Sequence, residues 1–115
     1  MAGFIGLGVP VFEIREAAGD TDMLISTPAL GAALARTLSD KPAALLRGHG
    51  AAVVGDSLPQ VVGRCYFMQV NARMQAQAMA VGSEVSYLNA EEAHKTATNN
   101  YDRAWELWKR KAMGK

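Results

Sequence analysis

Apolar positions along the chain change their spacing several times, and each change predicts an element. Val9 to Ile14 alternates in part and is rich in β-branched and aromatic residues, which predicts a short strand with Pro10 at its start or on an edge. Arg15 to Thr21 is polar, contains Gly19 and predicts a loop; Asp22 to Ile25 predicts another short extended piece. Thr27 and Pro28 then open a helix as cap and first residue. Leu30, Leu34 and Leu38 form its apolar stripe, and the helix should stop near Ser39-Asp40, ahead of Pro42. Ala43 to Leu46 reads as a buried strand and Ala51 to Val54 as a second, joined through Arg47-Gly48-His49-Gly50 in a tight turn or a kinked pair.

The second half of the chain is helical in pattern. Ser57 with Gln60 three residues on is a capping-box signature, and it opens a long helix over Leu58 to Val81 that Gly82 ends. Val61, Val62, Cys65, Met68, Ala72, Ala76 and Met79 make its apolar side, with Cys65 in the core. A third helix opens at Asn89 with Glu92 three residues later. Glu91 and Glu92 sit at its positive end and Lys109, Arg110 and Lys111 at its negative end, as the helix dipole favours. Tyr101, Trp105, Trp108 and Ala112 form a stripe along it, a surface suited to docking on a neighbouring subunit. These elements make an α/β chain of three helices and several short strands.

Composition narrows the function classes. With 115 residues, half of them hydrophobic and 20% charged, the chain has a globular balance and the length of one domain or part of one. Its net charge of +1 gives no clustered basic face for nucleic acid. The most apolar long segment, Leu58 to Val81, is broken by Arg64, Gln69, Asn71 and Arg73, which argues against a membrane span. A single cysteine and the lack of a basic leader at Met1 point to a reducing, cytoplasmic setting. Gly3, Gly6 and Gly8 do not have the G-x-G-x-x-G spacing of a dinucleotide loop.

His49 is the residue with the most chemical information. Flanked by two glycines at the end of an apolar strand, it is either a metal ligand or general base, or a turn histidine bonded to backbone. Catalytic zinc sites use about three protein ligands. The other histidine, His94, lies 45 positions away without a partner at ligand spacing, so His49 is not a ligand or its partners lie outside these residues. Arg47, two residues earlier, points to the same side; its planar fork suits a carboxylate or phosphate, and a surface salt bridge is the other reading. Glu13 and Arg15 share a face, best explained by a structural ion pair with another strand.

Together these residues resemble a known family. The run Val9-Pro10-Val11-Phe12-Glu13-Ile14-Arg15, then Asp22 to Ile25, the Leu30/Leu34 helix, Leu45-Leu46-Arg47-Gly48-His49-Gly50 with Val53-Val54-Gly55, and Asn71-Ala72-Arg73-Met74-Gln75 up to Tyr87-Leu88 is similar to the C-terminal half of class II aldolase/adducin domains, over residues 8–93. The wording from Pro10 to Arg15 is closest to a bacterial branch linked to decarboxylation of aromatic hydroxy acids.

The resemblance implies part of an α/β/α sandwich with a mostly antiparallel sheet, in a homo-oligomer that is a tetramer in relatives. It implies a divalent metal, zinc foremost, held by three histidines, of which His49 matches the third. The other two form an H-x-H pair that this sequence lacks, so residues 1–115 read as one partial domain without its N-terminal half, inactive alone. It also implies a lyase acting on a small hydroxy acid, keto acid or sugar phosphate, with Arg47 toward substrate and Tyr87 or Tyr101 as proton donor. The alternative is a non-catalytic adducin-like or truncated remnant module that acts only in protein association.

Overall fold

The computed structural model describes residues 2–82 and 84–114; Met1, Ser83 and Lys115 lie outside the described residues. After a 3-10 helix at Gly3–Leu7, the order is β1 (Val11–Phe12), α1 (Ile14–Ala18), α2 (Pro28–Leu38), β2 (Ala43–Leu46), β3 (Gly50–Val53), α3 (Leu58–Ala80), α4 (Ala90–Ala97) and α5 (Asp102–Ala112). Two compact units result. Residues 8–54 form one, and the segments up to residue 7 and from residue 55 onward form the other.

The unit of residues 8–54 carries the sheet, in the order β1-β2-β3. β1 runs parallel to β2, with Val11 beside Leu45 and Phe12 beside Leu46. β2 and β3 are antiparallel, with Leu46 beside Gly50. The sheet is therefore mixed, not mostly antiparallel as the family resemblance implied. The parallel pairing arises because β1 and β2 are joined through α1 and α2, a connection long enough for a crossover. Pro10 precedes β1 and its carbonyl accepts from Leu45 N at 2.8 Å; having no N–H to give β2, it marks where the pairing begins.

α2 forms as its sequence predicts. Thr27 Oγ1 accepts from Leu30 N at 3.3 Å, Pro28 begins the helix, and Ser39 ends it at φ 51°. Its buried Leu30 and Ala33 pack on Phe12 and Ile14, with Met23, Ile25, Leu34 and Leu46 around them. Alternation along β1 puts Phe12 into this core and leaves Val11 58% exposed on the opposite face beside Leu45.

Two expectations for this unit are corrected. Ile14–Ala18 is a short helix rather than strand end and loop, because the Glu13 side chain caps it by accepting from Arg15 N. Asp22 to Ile25 is not a strand: Thr21 Oγ1 takes Met23 N and Asp22 Oδ1 takes Leu24 N, so side chains satisfy donors that a strand partner would need.

In the other unit, Ser57 Oγ accepts from Gln60 N at 3.3 Å at the start of α3. The reciprocal bond reaches one residue further back than a capping box requires, since Gln60 Oε1 accepts from Asp56 N at 2.8 Å. Gly82, at φ 76°, follows the end of α3. The expected apolar side of α3 is only partly covered: Val61, Val62 and Met68 are half-buried, whereas Cys65, Ala72, Ala76 and Met79 are exposed. Cys65 is thus a surface residue and not core.

The terminal helix is two helices. α4 opens with the full Asn89/Glu92 capping box. Thr98, Asn99 and Asn100 then interrupt it; Asn99 Oδ1 accepts from Tyr101 N at 2.8 Å, and Tyr101 sits at φ 62°. Asparagine side chains that compete for backbone donors favour such a break. Among the described residues, five α-helices therefore stand where the periodicity predicted three. Phe4 and Ala93 are fully buried where the 3-10 helix packs on α4, with the Arg64 guanidinium 5.9 Å from the Phe4 ring centroid.

Candidate functional site

β2 and β3 deliver His49 on a three-residue connection. Its N–H donates to Leu46 O at 3.0 Å, which closes a β-turn, and Gly48 takes φ 68° in the turn's third position. A residue with a Cβ adopts that conformation only with strain. Gly50 follows at φ 153° and returns the chain to the β3 ladder. The side chain of His49 is exposed at this turn.

Arg47 is fixed at both ends. Its backbone N–H donates to Phe12 O at 3.2 Å, extending the parallel β1–β2 pairing past its last register pair. Its Nε stands 2.5 Å from Glu13 Oε2 in an ion pair. One of its terminal nitrogens reaches Met23 Sδ at 3.7 Å.

Glu13 collects three more contacts: Arg15 N at 3.0 Å and Arg15 Nε at 3.4 Å on Oε1, and an Arg15 terminal nitrogen at 3.4 Å on Oε2. The Arg15 backbone N–H is the main cause that holds the Glu13 carboxyl down at about 2 from 4.5. The Arg15 and Arg47 side chains add to it, against some desolvation. The expected ion pair with another strand is thus present, between Glu13 and Arg47. The salt-bridge reading of Arg47 holds as well.

His49 and Arg47 line one small cleft with Phe12, Ile14, Met23, Ile25 and Leu46. Its walls are apolar, and Arg47 and His49 border it from the turn. Met23 is the lining residue the sequence did not flag. It sits at φ 70°, with its methyl 3.5 Å from where a Gly48 side chain would begin.

The two tyrosines lie in the other unit. Tyr101 is 4% exposed, its ring stacked on Phe67 at 5.4 Å between centroids and set over Gly63. Burial pushes its phenol pKa up, against the opposing charge of Arg64. Tyr87 is exposed, and its hydroxyl accepts from Gln75 Nε2 at 3.0 Å.

A divalent ion in a catalytic site needs about three protein ligands. Among the described residues, no three His, Cys, Asp or Glu side chains come together in a way that could hold one. These residues alone therefore do not close a metal site, and His49 offers a single imidazole. Among the described residues, no helix is long and apolar enough to cross a membrane.

Comparison with known proteins fits this hairpin into a larger group. Residues 2–76 match the family described as the class II aldolase and adducin N-terminal domain, and the chain belongs to that family. The match runs from the 3-10 helix into α3 and includes the whole sheet and the His49 turn. A curated relative, decarboxylase tropJ of Talaromyces stipitatus, is 30% identical over 134 aligned positions, covering 96% of this chain and 50% of the relative. The chain thus spans about half the length of the curated relative it matches.

Proposed function

We propose that this chain is the His49-bearing portion of a class II aldolase-type lyase, which breaks a C–C bond, by aldol cleavage or decarboxylation, in a small hydroxy or keto acid or a sugar phosphate. The observation that carries the reading is the pairing of His49 and Arg47 on one glycine-flanked turn at one cleft. Family membership and the relative named as a decarboxylase support it.

In this reading His49 is one ligand of a divalent ion, zinc foremost, and the other ligands come from residues beyond those described. Arg47 faces the substrate's carboxylate or phosphate with the guanidinium edge that Glu13 leaves open. Tyr87, whose hydroxyl is at the surface, is the better proton donor of the two tyrosines; the Tyr101 ring is taken up in packing. The working enzyme is a homo-oligomer.

The test is zinc titration of the protein complemented with a segment that supplies the H-x-H pair, followed by elemental analysis, alongside an assay of carbon dioxide release and aldol cleavage on a panel of hydroxy acids and sugar phosphates. About one tightly held ion per chain is expected, as one site requires, with turnover that depends on it. A protein that holds no metal and cleaves none of the panel overturns the reading in favour of a non-catalytic association module.

A further inference from the structure

Glu13 has two carboxylate oxygens with different work. Oε1 accepts from Arg15 N at 3.0 Å and so caps α1. Oε2 stands 2.5 Å from Arg47 Nε. That Nε is itself buried and lacks hydrogen-bond geometry to any acceptor among the described residues, so the Glu13 carboxylate beside it compensates its charge as an ion pair. A buried cationic N–H without an anion beside it is costly, so this pairing decides where the guanidinium rests. Arg47 is also the residue at which β2 leaves the β1 pairing and enters the turn. Beyond it the backbone passes through Gly48 and Gly50, both at positive φ, where glycine has wide conformational freedom. The bond from His49 N to Leu46 O closes the turn, and the ion pair with Glu13 holds the Arg47 side chain from outside it.

We propose that Glu13 is a positioning residue: it ties the start of α1 to Arg47 and thereby fixes how the Arg47-Gly48-His49 turn presents its guanidinium and imidazole to the cleft. Its functional meaning rests on the reading of Arg47 and His49 given above, but the restraint itself does not. Sequence placement explains why Glu13 can do this. It follows Phe12, the last β1 residue paired with β2, just as Arg47 follows Leu46, so the two side chains emerge at neighbouring points of parallel strands. Met23 completes the seat, its sulfur 3.7 Å from an Arg47 terminal nitrogen.

Glu13→Gln separates the two jobs. A glutamine carbonyl still caps α1, while its amide N–H₂ sets a donor against the donor Arg47 Nε. Nitrogen-15 NMR of the whole chain reads the outcome. In the wild type the buried Arg47 Nε–H is expected to exchange slowly with water. In Glu13→Gln that protection is lost and the amides of residues 47–49 shift or broaden, while those of α2 keep their positions. An Arg47 Nε–H as protected as before, with turn amides unmoved, overturns the proposal.

Should Glu13→Gln unfold residues 8–54, the double variant Glu13→Gln/Arg47→Met removes the stranded charge. Its turn amides are then expected to move while α2 stays folded; unmoved turn amides overturn the proposal equally. A protein that binds no zinc and cleaves no substrate, yet shows the Glu13→Gln effect, sinks the lyase reading and leaves Glu13 as the turn's restraint.

Discussion

The ring of Tyr101 lies directly against Gly63: a Cβ on that glycine would run into ring atoms Cγ and Cδ2. Glycine is therefore at residue 63 because α3 must let an aromatic ring approach its backbone. The ring is held in turn by the stack on Phe67.

Gly63→Ala should destabilise the protein in spite of alanine's better helix propensity. The propensity gain is about 1 kcal/mol. Forcing a methyl into a filled site costs about 1–3 kcal/mol, and here the neighbour is a rigid ring. A lower urea midpoint with an unchanged slope is the expected result. A midpoint at or above the wild-type value would show that the ring moves away freely.

Acid should find Glu13 through its depressed pKa. The folded carboxyl titrates at about 2 against 4.5 for the free group. A lowered folded-state value means that the contribution is complete above the unfolded value and is lost as pH falls through the folded one. The loss therefore runs from about pH 4.5 down to about pH 2. Denaturation curves at a series of pH values should show Glu13→Gln with a shallower fall in that window than the wild type. Parallel curves would mean that the Arg15 and Arg47 contacts give no net preference for the carboxylate.

Much of the fold was legible because local signals and burial agree in particular places. Thr27-Pro28 and Ser57 open α2 and α3 where capping chemistry places them, and Ala43 to Leu46 forms the central strand. The misreadings occur where a polar side chain took over a backbone donor. Glu13 turned Ile14–Ala18 into a helix, Thr21 and Asp22 replaced a strand partner, and Asn99 helped to divide the last helix. Such bonds depend on rotamer and neighbour and leave no periodicity to read. The parallel β1–β2 pairing was hidden for another reason: strand direction is set by the crossover through α1 and α2, not by residues within the strands.

The site was legible in the same uneven way. The glycines around His49 marked a turn, and Arg47 fell beside it by strand alternation. The Glu13–Arg47 pair was readable as an ion pair but not as a specific one, because 34 residues separate its members. Met23 gave no signal, since its role depends on a positive φ that no residue type at that position advertises.

Gly48→Ala should strain the turn through backbone alone. At φ 68° an L-residue costs about 1–2 kcal/mol. The new methyl would meet only the Met23 methyl, at an ordinary 3.5 Å. Gly19→Ala is a control at positive φ outside the cleft: Gly19 has φ 67° and ψ −139°, with nothing within 4 Å of an added Cβ. Both variants should lose stability in thermal melts, whereas only Gly48→Ala should shift the His49 amide resonance. An undisturbed His49 in Gly48→Ala would mean that the turn accepts the left-handed residue without changing its course.

His49→Ala separates ligand from scaffold. The side chain is exposed, and its backbone N–H to Leu46 O survives the substitution, so stability should stay within about 0.5 kcal/mol of wild type. In the protein complemented with an H-x-H-bearing segment, where His49 is one of about three metal ligands, its loss leaves too few donors for a tight site, and zinc affinity should fall by orders of magnitude. Arg47→Lys is the companion variant: it keeps the charge but removes the guanidinium fork, so it should weaken substrate binding while metal content stays at the wild-type level. Isothermal titration with zinc and with substrate, read beside thermal melts, checks both. A His49→Ala protein that melts normally and binds zinc as tightly as the wild type would make His49 a turn residue and move the metal chemistry away from this hairpin.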